Sequence, residues 1–124
     1  MKFRKIMLLT IAVLLSTEAL AGATFVNLVS ITTTNFRGGL AAARFSADPT
    51  QYIGCYISTT GAAASVVCQA RDAAGTFVSC VQSAPSVAML NAVATLSDAA
   101  FVNVTYSGTT CTSILSHANS AFIQ

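Results

Sequence analysis

Four cysteines, Cys55, Cys68, Cys80 and Cys111, constrain this 124-residue chain more than any other feature. An even cysteine count in a short chain with an export signal reads as two disulfides. Cross-links persist in oxidising compartments and supplement the small core that such a chain can bury. Free buried thiols are one alternative. A zinc site is another, but there is no Cys-x₂-Cys pair and the single histidine, His117, lies six residues past Cys111.

The export signal is at the N-terminus. Lys2, Arg4 and Lys5 precede an apolar run over residues 6–15 that only Thr10 interrupts, and Ala19-Leu20-Ala21 follows a polar step. This is the layout of a secretory signal peptide over residues 1–21, cleaved after Ala21 or two residues later. The run is too short for a membrane anchor, which needs about 20 residues. Position 23 is Ala, where a lipoprotein needs Cys. No long apolar helix with an early Glu follows the basic residues, as a type IV pilin requires. Residues 22–124 are then a single disulfide-stapled domain in the periplasm or outside the cell, with no membrane span.

Cleavage also changes the electrostatics. The remaining chain has Arg37, Arg44 and Arg71 against Asp48, Asp72 and Asp98, no Lys, and a formal net charge of zero. Nucleic acids and anionic surfaces are excluded as partners, because nothing steers them. With 54% hydrophobic residues and 8% charged, disorder is excluded as well.

Turn signals divide the chain into short, β-branched segments. Strands are expected over residues 24–34, 40–46, 51–58, 65–71, 76–82, 100–106 and 110–116. Between them lie a turn or bulge at residues 35–39, a type I turn at 47–50, a small-residue loop at 59–63 and a four-residue connection at 72–75. Residues 40–46 favour helix by composition but are too few for a stable one. One helix is expected over residues 84–96, with a Ser cap and apolar residues Met89, Ala92, Val93 and Leu96 at helical spacing. The tail from His117 shows no period. The fold class is all-β: an antiparallel sandwich or partly open barrel of about seven short strands with one inserted short helix.

Strand parity orders the cysteines, because cross-strand neighbours share a sheet face. A turn centred near residues 61 and 62 sets Cys55 opposite Cys68, on a face with Ile53, Ile57, Val66 and Phe77. A hairpin centred between Ala73 and Ala74 sets Cys68 opposite Ser79, so Cys68 and Cys80 point to opposite faces. The expected links are 55–68 and 80–111. A bulge in either hairpin would shift this parity.

QYIGC at residues 51–55, CQARDAAGTFVSC at 68–80 and a Gly-x-x-Cys at 108–111 form one layout. Over residues 37–115 it resembles a group of small secreted bacterial proteins with a QYIGC strand, a CxARDxxG hairpin and two further cysteines. The resemblance implies a β fold and a bacterial origin, and no catalytic residues.

The chemistry available is sparse. One histidine in an irregular tail and no G-x-S-x-G do not make a hydrolase triad. Asp48 and Asp72 are turn residues and Asp98 ends the helix, so no carboxylate pair is expected for glycoside hydrolysis. Asn103-Val104-Thr105 matches N-x-T, which matters only in a glycosylating host. Tyr52, Tyr56 and Tyr106 read as sheet-packing residues, with a sugar-stacking face as the alternative. Arg71 and Asp72 at a hairpin tip are the contact candidates. The chain therefore reads as a non-catalytic secreted β-domain that binds a protein partner or itself, with no cofactor and no metal. The rival is a small hydrolase or an enzyme inhibitor presenting the loop at residues 59–64. The intact mass of secreted protein is expected to begin at Gly22 or Thr24, and a mass that retains residues 1–21 would overturn the export reading.

Overall fold

The computed structural model describes residues 26–118. The expected signal segment and its cleavage sites lie outside the described residues, as do residues 22–25 and 119–124. The elements are β1 (Ser30–Ile31), β2 (Asn35–Gly39), α1 (Leu40–Arg44), β3 (Tyr52–Thr60), β4 (Ala63–Arg71), β5 (Phe77–Gln82), α2 (Val87–Ala94), β6 (Ala100–Ser107) and β7 (Thr110–Ala118). The fold is mostly β, as expected. Its seven strands form one sheet in the order β1-β2-β6-β7-β5-β4-β3, which does not close into a barrel.

Two antiparallel blocks make up this sheet. One is β1-β2-β6-β7 and the other is the meander β3-β4-β5. They meet at a parallel seam between β5 and β7 with a single register pair, Val81 with Thr110. Val81 donates its N–H to the Thr109 carbonyl at 2.9 Å, and Gln82 Nε2 donates to the Cys111 carbonyl at 3.1 Å. The Cys80–Cys111 disulfide crosses the same seam, and Cys55–Cys68 crosses from β3 to β4.

The connectivity is the expected one, but half of the parity argument is overturned. Cys55 faces Cys68 as expected. Cys68 faces Cys80, not Ser79, so Cys55, Cys68 and Cys80 share one face. The connection after β4 holds one residue more than a symmetric turn. Asp72 N–H donates to the Thr76 carbonyl at 3.1 Å, and Gly75 takes φ +87° inside the turn. That is the three-residue hairpin in which a glycine bulge shifts the register. The shift also moves Phe77 off the cysteine face, to a position opposite Arg71.

Four further expectations are corrected. Residues 35–39 form β2 rather than a turn. A Cβ on Gly38 would lie 3.2 Å from the Val29 Cα, so this glycine permits close approach of the preceding segment and is not a bend. Residues 40–46 contain a helix, α1, so there are two helices where one was expected. Its Ala41, Ala42 and Ala43 are all buried, and tertiary packing supplies what five residues lack alone. The strand expected over residues 24–34 is reduced, within the described part, to Ser30–Ile31. The expected loop at residues 59–63 shrinks to a two-residue turn at 61 and 62, because Thr60 pairs with Ala63. The helix expected over residues 84–96 is present but shorter, Val87–Ala94, because its cap is Ser86, whose Oγ accepts the Met89 N–H at 3.1 Å.

Both helices lie on one face of the sheet. Ile53, Val66, Cys68, Ala70, Cys80, Val102, Val104 and Cys111 from that face form one cluster with Ala43 of α1 and Val93 of α2. α1 packs on β2, β3 and β6, and α2 on β3, β4 and β7. β2 and β3, far apart in the sheet order, also touch, so the sheet curls around the helices. Non-reducing peptide mapping is expected to recover 55–68 and 80–111. A Cys80→Ser/Cys111→Ser variant is expected to lose about 3–4 kcal/mol of stability in urea, the loop-closure scale for a 31-residue separation. It should also raise amide exchange at Val81.

Candidate functional site

The other face of the β3-β4-β5 meander carries no helix. Tyr52, Arg71 and Phe77 stand side by side there in one cross-strand row. The Arg71 guanidinium carbon lies 5.8 Å from the Tyr52 ring centroid and 5.7 Å from that of Phe77. The two rings are 6.3 Å apart and inclined by 45°. All three residues are exposed, Tyr52 at 39% and Phe77 at 48%. Such exposed cation–π contacts contribute about 0.5–1 kcal/mol each and orient the guanidinium more than they stabilise the fold. Four residues along each strand, Tyr56, Val67 and Val81 form a second apolar row. Gly54, Gln69 and Ser79 lie between the rows, and the space where a Gly54 side chain would stand is open.

Arg71 and Asp72, the contact candidates from sequence, are therefore engaged separately. Arg71 sits between the two rings. Asp72 turns to the backbone, where its Oδ1 accepts the Thr76 N–H at 2.9 Å. Sequence reasoning missed Phe77 as a neighbour of Arg71 because the β4–β5 register was displaced by one, whereas Tyr52 opposite Arg71 follows from the β3–β4 register that set Cys55 opposite Cys68 and was not drawn from it.

A second locus is an open cleft of about 310 Å³ beside Tyr52, lined by Leu40, Ala43, Arg44, Gln51, Ile53 and Asp98. Its floor holds a polar latch. The buried Gln51 Oε1 accepts the Val29 N–H at 2.8 Å, and Gln51 Nε2 donates to Asp48 Oδ2 at 2.6 Å. Asp48 Oδ1 also accepts the Thr50 and Gln51 backbone N–H groups, each at 2.9 Å. These bonds hold the Asp48 carboxyl below the ordinary aspartate value of 3.8, the Gln51 side-chain amide chiefly. The latch joins the segment before β1 to the start of β3, across the opening of the sheet.

The remaining candidates lie apart. Tyr106 faces the core, 5.7 Å from Phe36 ring to ring, and its hydroxyl donates to the Thr32 carbonyl at 2.6 Å, so it shares no surface with Tyr52 and Tyr56. Asn103 is half-buried in mid-strand and accepts from Asn35 Nδ2 at 3.5 Å. His117, expected in an irregular tail, is exposed near the end of β7, opposite Phe101. Among the described residues no group of three or more His, Cys, Asp or Glu could hold a metal ion.

Fold and surface together define a disulfide-cross-linked, mostly β protein with helices on one face of its sheet and an open aromatic patch on the other. No family model, no curated protein and no solved structure matches the chain.

Gln51→Ala would strand the buried Val29 N–H and is expected to cost about 1–3 kcal/mol in urea denaturation at neutral pH. The Asp48 contribution follows from its depressed value. It is present above pH 3.8 and lost as the pH falls through the lower folded value. An acid titration of wild type against Asp48→Asn is expected to show the curves converging only below pH 3.8.

Proposed function

We propose that this chain is a non-catalytic secreted domain that binds a protein partner, or copies of itself, outside the cytoplasm. The observation that carries the reading is the uncovered face of the meander, where Tyr52, Phe77, Tyr56 and Val81 are exposed around Arg71. Aromatic residues and Arg dominate the energetics of protein interfaces, because they bring large rigid area and oriented donors. An uncharged surround favours contact by shape and stacking over steering by charge. Two disulfides and the signal-like N-terminus support an oxidising location. No helix among the described residues is long and apolar enough to cross a membrane. The inhibitor reading has less support, since residues 59–64 are held in a tight ladder and offer no extended loop for a protease cleft.

The test is capture of a partner from the native extracellular fraction by wild type and by Tyr52→Ala/Arg71→Ala. The double variant is expected to lose at least tenfold in affinity, with both disulfides retained. Binding within twofold of wild type would overturn this use of the face.

A further inference from the structure

The sheet has two outer strands of very different character. β1 has two residues, whereas β3 has nine, Tyr52–Thr60. β3 contains no charged residue and no proline, and its pairing with β4 is regular throughout. It therefore lacks the devices that normally keep an outer strand from pairing again.

Hydrogen-bond parity shows what this edge offers. Val81 donates its N–H across the seam to β7. In an antiparallel ladder the backbone groups of successive residues point alternately to one side and the other. Val81 facing β7 means that Cys80 bonds to Cys68, that Val67 bonds to Tyr56, and that Cys55 and Ile57 point away from β4. The Cα–Cα separation of Cys55 and Cys68, 4.1 Å, belongs to the same closely spaced, non-hydrogen-bonded class of pair. The N–H and C=O groups of Ile53, Cys55, Ile57 and Thr59 are thus directed outward. Among the described residues none of these groups has a hydrogen-bond partner. α1, α2 and β2 all contact β3, and along the edge Cys55 and Ile57 are half-buried while Tyr56, Ser58, Thr59 and Thr60 are exposed.

We infer that this edge pairs with the same edge of a second copy, antiparallel about a two-fold axis. The inference rests on the self-association arm of the proposed function and assigns that arm to the β3 edge, leaving the aromatic face around Arg71 to the binding of a different protein. An outward-facing edge is self-complementary under a two-fold axis, since each donor meets an acceptor. With Ile57 on the axis, Ile57 faces its copy and Cys55 faces Thr59, and the three pairs exchange their bonds. Ile57 is half-buried, and its contact with its own copy adds apolar burial on the helix-covered side. Tyr56 then lies opposite Ser58 on the open side. No charge on β3 opposes the approach. The contact is small against the ~800 Å² per partner of a standard interface, so pairing is reversible and concentration-dependent.

Sedimentation velocity of the disulfide-intact protein over a hundredfold concentration range is the test. The expected result is a mass rising from monomer toward dimer. Thr59→Pro removes an outward N–H from an exposed position without touching the β4 ladder, and should weaken association at least tenfold. Tyr56→Lys/Ser58→Lys should abolish it by like-charge repulsion. Mixing that protein with Tyr56→Glu/Ser58→Glu should restore a dimer. The Lys and Glu variants alter only exposed side chains, so they decide the matter if the proline variant does not fold. Arg71→Ala should leave association unchanged, which separates the edge from the aromatic face. A monomer at every concentration, or association indifferent to these variants, would overturn the inference and leave the partner-binding reading standing.

Discussion

The β5–β7 seam is the point on which the architecture depends. Every other neighbouring pair of strands is antiparallel, and apart from the two-residue β1 each shares a long ladder. The two blocks meet through one register pair, Val81 with Thr110, whose Val81 N–H reaches the turn before β7, and through the Gln82 side chain. A seam this narrow does not hold two blocks in register by hydrogen bonding alone, because each bond contributes only about 1 kcal/mol net. The Cys80–Cys111 bond makes the junction covalent at two buried positions, and α2 spans it from above by packing on both β4 and β7. The common core over all seven strands follows from that junction.

Much of this was legible in the residues. The β-branched runs located five of the strands to within a few residues, and Ser86 announced the second helix. What could not be read was set by contacts distant in sequence. Gly38-Gly39 look like a bend until Val29 is seen to pack against Gly38. Residues 40–44 look too few for a helix until their alanines are buried against β2, β3 and β6. The register of the β4–β5 hairpin turned on whether Gly75 would add one residue, and that single unit decides which face Phe77 joins. The Arg71 site was therefore half legible: the arginine was found, and its two aromatic neighbours were not. The cysteine pairing emerged correctly although one of its two premises was wrong, because the β3–β4 turn alone was enough to match Cys55 with Cys68.

The two faces of the meander meet different surroundings. One face sends Ile53, Val66, Cys68 and Ala70 into the core and is sealed by both helices. The other keeps Tyr52, Tyr56, Phe77 and Val81 in solvent. Period-two alternation makes this separation strict, since substitutions at alternate positions reach only one of the two environments. The open face can vary without disturbing the core.

The two cross-links also govern how the chain bears tension. A pull applied between the segment before β1 and the end of β7 travels along the shortest covalent path, which leaves the backbone at Cys55 for Cys68 and again at Cys80 for Cys111. Residues 56–67 and 81–110 lie off that path. The β3–β4 turn, the second helix and all of β6 are therefore shielded from longitudinal load, and the extensible length is limited to what remains outside the two rings. The same sulfur atoms that hold the seam make the domain a short, stiff element under force.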